Sequence, residues 1–353
     1  MNAENGATRG ERDRLLVSHR RRLARPSVRT SAANVFALTF LVASACCALG
    51  CRNKTHNTSA TTAATATDPA HPPPAQSTDD AATRAHTGAE AAAECGPLRC
   101  ELFDTASDAL SVALATDPVI VAIGEAHAQK GDTGVPSAAK RFTGELLPLF
   151  QGRASDLIVE LMLPPNGCHE KVDQVRAAHK PVTDKQAIGD QGEYIALGEA
   201  AKRLGIVPDL LRPSCDDMEA ISRAGDDAIA KTLETIARLT ARQVKAILAR
   251  PGRGTKAIVV YGGAIHGDLG PPPERAAWSY GPELSALVND RYVAVNLFVP
   301  EYIDGGSNWQ KFAWFPFYGD ARRAGKTILF NPSERSFVLI FEPARGEGGA
   351  PPL

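Results

Sequence analysis

The sequence predicts an α/β domain: a mainly parallel sheet covered by helices on both faces, with a functional site at the carboxyl ends of the strands. Three observations predict it. Short, continuous apolar runs recur through the later part of the chain, as strands buried on both faces require. Segments with a helical apolar period separate those runs, which argues a parallel sheet with helical crossovers. Four successive runs also end in an ionisable residue, where parallel sheets bind their ligands.

Taken in order, the run 119–123 (VIVAI), ended by Gly124, reads as the first buried strand, and 138–150 as a helix. Leu157, Ile158 and Val159 form a second strand, 194–204 a second helix, and 206–211 a weaker third strand interrupted by Pro208. The longest helical pattern covers 226–250. Ile229, Leu233, Ile236, Val244 and Ile247 recur there at three- and four-residue steps, with Arg238, Arg242 and Lys245 on the other side. Pro251 and Gly252 stop it. The run 257–261 (AIVVY), ended by Gly262 and Gly263, is a fourth strand, and 292–295 and 337–340 are later ones. Trp278, Trp309 and Trp314 fall in a Pro- and Gly-rich last quarter, with Tyr302 and Tyr318, and read as loops covering the core or as an aromatic wall over a pocket.

The N-terminal part has a different character. Residues 1–50 read as a secretory signal: an arginine-rich start with Arg20, Arg21 and Arg22, an apolar core from Ala32, and a small-residue exit. Ala48, Leu49 and Gly50 stand before Cys51, and this resembles the lipobox of bacterial lipoproteins, in which the cysteine sulfur takes a diacylglycerol. Cys46 is a second candidate, and an uncleaved membrane anchor is the alternative, since 32–50 approaches the roughly 20 residues of a spanning helix. Either way the arginines place the remainder outside the cytoplasm. Residues 51–94 read as a disordered tether, with no Val, Ile, Leu, Met, Phe, Trp or Tyr between Arg52 and Glu94. The α/β domain is assigned to 95–345 and a flexible tail to 346–353. Arg52 is not the Asp associated with inner-membrane retention, which favours the outer membrane.

A net charge of −1 gives no argument for nucleic acid as a partner. Of seven cysteines, four belong to the domain: Cys95, Cys100, Cys168 and Cys215. An even number in an exported domain reads as disulfides, and no paired C-x-x-C spacing suggests zinc. Gly96 and Pro97 suit a short loop closed by Cys95–Cys100, which leaves Cys168–Cys215; three pairings are possible on sequence alone.

The strand-end residues carry the chemistry. Gly124 is followed by Glu125, Ala126 and His127; the second strand ends in Glu160; Arg212 follows the third; and Gly263, Ala264, Ile265 and His266 follow the fourth. A fold that gathers strand ends brings Glu125, His127, Glu160, Arg212 and His266 to one edge, as candidates for a catalytic site. Arg203 and Arg141 are alternatives to Arg212. His179, in Ala-His-Lys-Pro, reads as an exposed helix-end residue. Asp216 and Asp217 read as helix-capping residues, with Ser214 as a further cap.

A Gly-Glu-x-His after a first strand, a Glu closing a second and a Gly-x-x-His after a later one resemble the superfamily of Tiki proteases, ChaN haem-uptake lipoproteins and erythromycin esterases. The matching residues are Glu125, His127, Glu160 and His266. The resemblance implies one of two activities. In the first, His127 and His266, with Glu125 or Glu160, hold a divalent metal that activates water, or one His acts directly as general base on an ester or peptide bond. Arg212 would then stabilise the oxyanion. In the second, the chain binds haem or iron through surface tyrosines or histidines, with Tyr280, Tyr302 and Tyr318 as candidates that no spacing selects between. A third reading is a non-catalytic envelope protein that keeps the cluster as a polar network. No G-x-S-x-G, H-E-x-x-H or C-x-x-C-H is present, which argues against a serine-elbow hydrolase, an ordinary zincin and covalent haem.

Overall fold

The computed structural model describes residues 95–344, apart from 96–97, 132–133, 188–189, 304–305, 307–308 and 323–324. The expected signal, Cys46, Cys51, the tether and the tail lie outside the described residues. The elements in chain order are β1 (Arg99–Phe103), α1 (Ala106–Ala113), β2 (Ile120–Glu125), α2 (Ala138–Arg141), β3 (Ala154–Met162), α3 (His169–Thr183), α4 (Asp190–Arg203) and β4 (Val207–Leu211). There follow α5 (Cys215–Arg223), α6 (Ala228–Leu248), β5 (Ala257–Gly263), α7 (Gly281–Leu287), β6 (Tyr292–Phe298), α8 (Phe315–Arg322), β7 (Thr327–Ser333) and β8 (Ser336–Ile340).

One eight-stranded sheet has the order β1-β7-β8-β6-β2-β5-β3-β4. From β8 to β4 every neighbouring pair is parallel; β7 runs antiparallel to both β1 and β8. The chain is an α/β protein with a mainly parallel sheet. β2 is central, with Val121, Ile123, Val159, Val259, Val293 and Val295 on one face beneath α1, α4 and the 138–150 segment. Ile120, Ala122, Ile158, Ile258 and Val260 face α6 and α7 on the other. These residues are under 4% exposed, so β2, β3 and β5 have no wet face, which explains why they read as continuous apolar runs. Pro208, which cannot donate to a ladder, is tolerated because β4 is an edge strand.

The segment expected as one helix over 138–150 changes its winding. It is α-helical to Arg141, π-helical over Phe142–Leu146 and 3-10 over Leu147–Phe150, where Pro148 removes an α-type donor. Ser214 caps α5 in a reciprocal capping box with Asp217. His179 is corrected: it is buried at 1% exposure in α3, where its Nε2 lies 2.8 Å from Thr232 of α6. The α3 surface it occupies packs against α5 and α6, so it is not at a solvated helix end. Cys95 is bonded to Cys100 and Cys168 to Cys215, with Cα separations of 6.0 and 5.8 Å. Among the described residues no helix is long and apolar enough to cross a membrane.

Candidate active site

The carboxyl ends of β2, β3 and β5 lie side by side, because β5 returns between the other two. Glu125 closes β2 and Glu160 falls near the end of β3, while one residue separates β2 from His127 and two separate β5 from His266. All four are buried, His266 fully and the others at 5–7% exposure. Buried charges persist when they are paired and hydrogen-bonded, and these are.

Glu125 lies on the face shared with Ile123 and Tyr261. Its Oε1 is 2.7 Å from His127 Nδ1 and accepts a hydrogen bond from the Tyr194 hydroxyl at 2.8 Å. Its Oε2 accepts one from the Tyr261 hydroxyl. Burial, then the nearby Glu125 charge, raises the Tyr194 phenol well above its ordinary value, so Tyr194 is a neutral donor at any working pH. A carboxylate facing Nδ1 at that distance fixes the neutral His127 ring with its hydrogen on Nδ1 and its lone pair on Nε2.

Glu160 is held from the opposite face. Its Oε2 accepts from the Gly263 backbone N–H at 2.7 Å, and its Oε1 lies 3.5 Å from His266 Nε2. Burial raises its pKa, but His266, His127 and the Gly263 amide together outweigh burial and hold the carboxyl below its ordinary value. His266 Nδ1 is 2.6 Å from the Trp278 carbonyl oxygen. A carbonyl only accepts, so Nδ1 carries the hydrogen here too, and Nε2 faces Glu160.

Glycines let these groups converge. A Cβ on Gly262 would lie within 2.8 Å of the Glu160 Cβ, so the glutamate side chain passes over a bare α-carbon. A Cβ on Gly263 would stand 3.5 Å from His127 Nε2, 3.6 Å from His266 Cδ2 and 3.8 Å from Glu160 Oε2. That point marks a small cradle bounded by both rings and one carboxylate.

Arg212 is corrected: it does not join the cluster. β4 is the outermost strand on this side, and after the buried Leu211 the chain turns outward, leaving Arg212 exposed with its carbonyl accepting from Arg242. Arg203 is also exposed. Arg141 is buried but committed elsewhere, to Glu145, to the Glu342 side chain and carbonyl, and to the Phe341 ring at 4.1 Å. Of the tyrosines expected on the surface, Tyr280 and Tyr318 are 4% exposed and Tyr302 is half-buried. Tyr280 packs under α6 and α7, and Tyr318 lies among the aromatics around Trp314, its hydroxyl donating to the Pro300 carbonyl. A groove of about 450 Å³ between α6 and the 276–283 segment reaches Tyr280 but includes none of the four cluster residues.

Sequence reasoning did not single out Tyr194, Tyr261 or the Trp278 carbonyl. Tyr261 had a visible signal, a hydroxyl directly before the Gly262 and Gly263 pair at a strand end. The other two depend on the docking of α4 and on the course of the 264–280 loop. As for a resident divalent metal, Glu125 has both oxygens engaged, and among the described residues no group of three or more His, Cys, Asp or Glu is gathered to hold an ion.

No protein-family model matches the chain, and no curated protein matches it. A crystal structure of a Bacillus cereus protein aligns with 76% of this chain and 98% of its own, at 9% identity and a TM-score of 0.30. A likeness that weak carries no argument about fold or function.

Proposed function

We propose that this chain is a hydrolase of ester or peptide bonds, borne on an envelope lipoprotein, with His127 as its general base. The observation that supports this reading is the Glu125–His127 pair at 2.7 Å, which turns the basic Nε2 towards the cradle at Gly263. His127 Nε2 takes a proton from water as the water oxygen bonds to the substrate carbonyl carbon. The bond to the leaving oxygen or nitrogen then breaks, and that atom takes a proton. His127 gives it the proton taken from the water, with Glu125 stabilising the ring while it is charged, and His266 and Glu160 bound the far side of the cradle. The net change is addition of one water across one bond, and the enzyme ends as it began. Arg212 has no part in it.

The test uses the full chain purified in detergent, assayed on p-nitrophenyl esters of increasing acyl length and on a quenched-fluorescent peptide library. Hydrolysis that His127→Ala lowers by roughly 10²- to 10⁴-fold supports the reading. Hydrolysis that EDTA abolishes and zinc or manganese restores would replace the direct-base mechanism with a metal-bound water. No hydrolysis, together with a Soret shift on adding haem, would replace it with the haem-binding alternative.

A further inference from the structure

We infer that Tyr194 and Tyr261 are the positioning residues of this site: together they fix the Glu125 carboxylate, and through it the tautomer and aim of His127. The inference deepens the hydrolase reading and rests on it only for its effect on rate. The rings and the hydroxyls have separate explanations. Both rings are under 2% exposed and sit in the main core, edge to face with each other at 5.6 Å, with Phe142 4.8 Å from Tyr261. Phenylalanine would satisfy that packing equally well. A buried hydroxyl is costly unless it is hydrogen-bonded, so two of them here need a reason. Each spends its proton on a different oxygen of one carboxylate.

The two donors come from independent elements. Tyr261 stands on β5, beside β2, at the position paired with Ile123. Tyr194 stands on α4, which reaches the strand ends from one face of the sheet. A carboxylate gripped on both oxygens cannot rotate about its own bond, and Oε1 therefore stays opposite His127 Nδ1. Tyr194 also approaches that nitrogen, at 3.2 Å, closing a triangle of Tyr194, Glu125 and His127. With the Nδ1 hydrogen fixed, the lone pair can only be on Nε2, towards Gly263. The seating of α4 is thereby tied to the protonation pattern of the base. A loss of correct tautomer is expensive where a histidine must accept a proton, because the wrong nitrogen then faces the water.

The test compares wild type with Tyr194→Phe, Tyr261→Phe and the double variant, in the full chain. Nitrogen-15 NMR reads the tautomer of neutral His127, assigned by its disappearance in His127→Ala, and steady-state kinetics on the best ester read kcat and KM. Wild type should show one form, protonated on Nδ1. Each single variant should show a mixture of tautomers and lose about 10-fold in kcat, and the double variant about 100-fold, with KM changed less than threefold. Thermal unfolding midpoints accompany every variant, and a melting loss without tautomer change marks a merely structural role. A double variant that keeps a single Nδ1–H form overturns the proposal, as does a tautomer mixture with kcat unchanged. If the double variant does not fold, the two single variants decide by the same readouts. If wild type hydrolyses nothing, the hydrolase reading fails, yet the tautomer measurement still decides whether the tyrosines position His127.

Discussion

At the scale of single residues, the sharpest prediction concerns Gly263, because it separates the site from the fold. A Cβ there meets nothing closer than 3.5 Å, which is ordinary contact, so Gly263→Ala should fold with an unfolding midpoint within a few degrees of wild type. The same methyl group occupies the point where His127, His266 and Glu160 converge, so hydrolysis should fall about 100-fold. Full activity in Gly263→Ala would mean that the reaction does not happen in this cradle. Gly262→Ala is the contrasting case: its methyl would collide with the Glu160 side chain, and stability should fall with activity. The four cluster residues were legible in the sequence because an ionisable side chain ending an apolar run stands out against its surroundings. Glu125, His127, Glu160 and His266 each had that contrast, and the parallel sheet brings them together. Arg212 had the same contrast and failed, since burial at an edge strand ends with the strand. Tyr194 was hidden because its partner lies 69 residues away in sequence, across the α4 docking surface.

At the scale of elements, β2, β3, β5, β6, β8, α4 and α6 were legible, each from its apolar period. The antiparallel strands β1 and β7 were not, because β1 mixes Arg99 and Glu101 into its run and β7 carries Asn331 and Pro332. The packing of α3 against α6 carries a pH prediction. Burial lowers the His179 pKa from 6.5 to about 4, against a smaller opposing effect of the Ala228 carbonyl. The unfolded chain then binds a proton that the folded chain refuses between those values, so stability is full above pH 6.5 and falls as pH drops towards 4. The loss from this group should approach roughly 3 kcal/mol, at 1.36 per pKa unit. Urea unfolding of wild type and His179→Gln at pH 7 and pH 4.5 checks it, with the carboxylates common to both cancelling in the comparison. Equal pH slopes in the two proteins would refute it. The Cys168–Cys215 bond acts on neighbouring elements, tying the start of α3 to the start of α5 across 47 residues. A loop of that length is worth about 4 kcal/mol in the chain-entropy account, so Cys168→Ser with Cys215→Ser should lower unfolding stability by 2–4 kcal/mol. A change below 1 kcal/mol would show that the bridge is not closed in solution.

At the scale of the whole molecule, the two disulfides and the N-terminal pattern bear on the same proposal from separate evidence. Structural disulfides persist where the environment is oxidising, and the proposal takes the arginine-rich, apolar, small-residue sequence ahead of Cys51 as a signal that directs the chain to such a place. Cys95 is buried and bridged to Cys100 in β1, and the sequence from Arg52 to Glu94 offers no large apolar residue to a core. On the proposed reading, a lipid on Cys51 would hold the domain outside the cytoplasm, and the chemistry proposed for Glu125, His127, Glu160 and His266 would then proceed without a cytosolic cofactor. Growth with radioactive palmitate distinguishes the three attachments that the sequence allows. Label retained in Cys46→Ser and lost in Cys51→Ser is the outcome the proposal requires. The reverse pattern moves the lipid to Cys46, and membrane association without any label leaves an uncleaved apolar anchor in its place. Mass spectrometry of the mature N-terminus adds a second reading of the same point, because a chain that still begins at Met1 in the membrane fraction sinks the lipoprotein proposal outright.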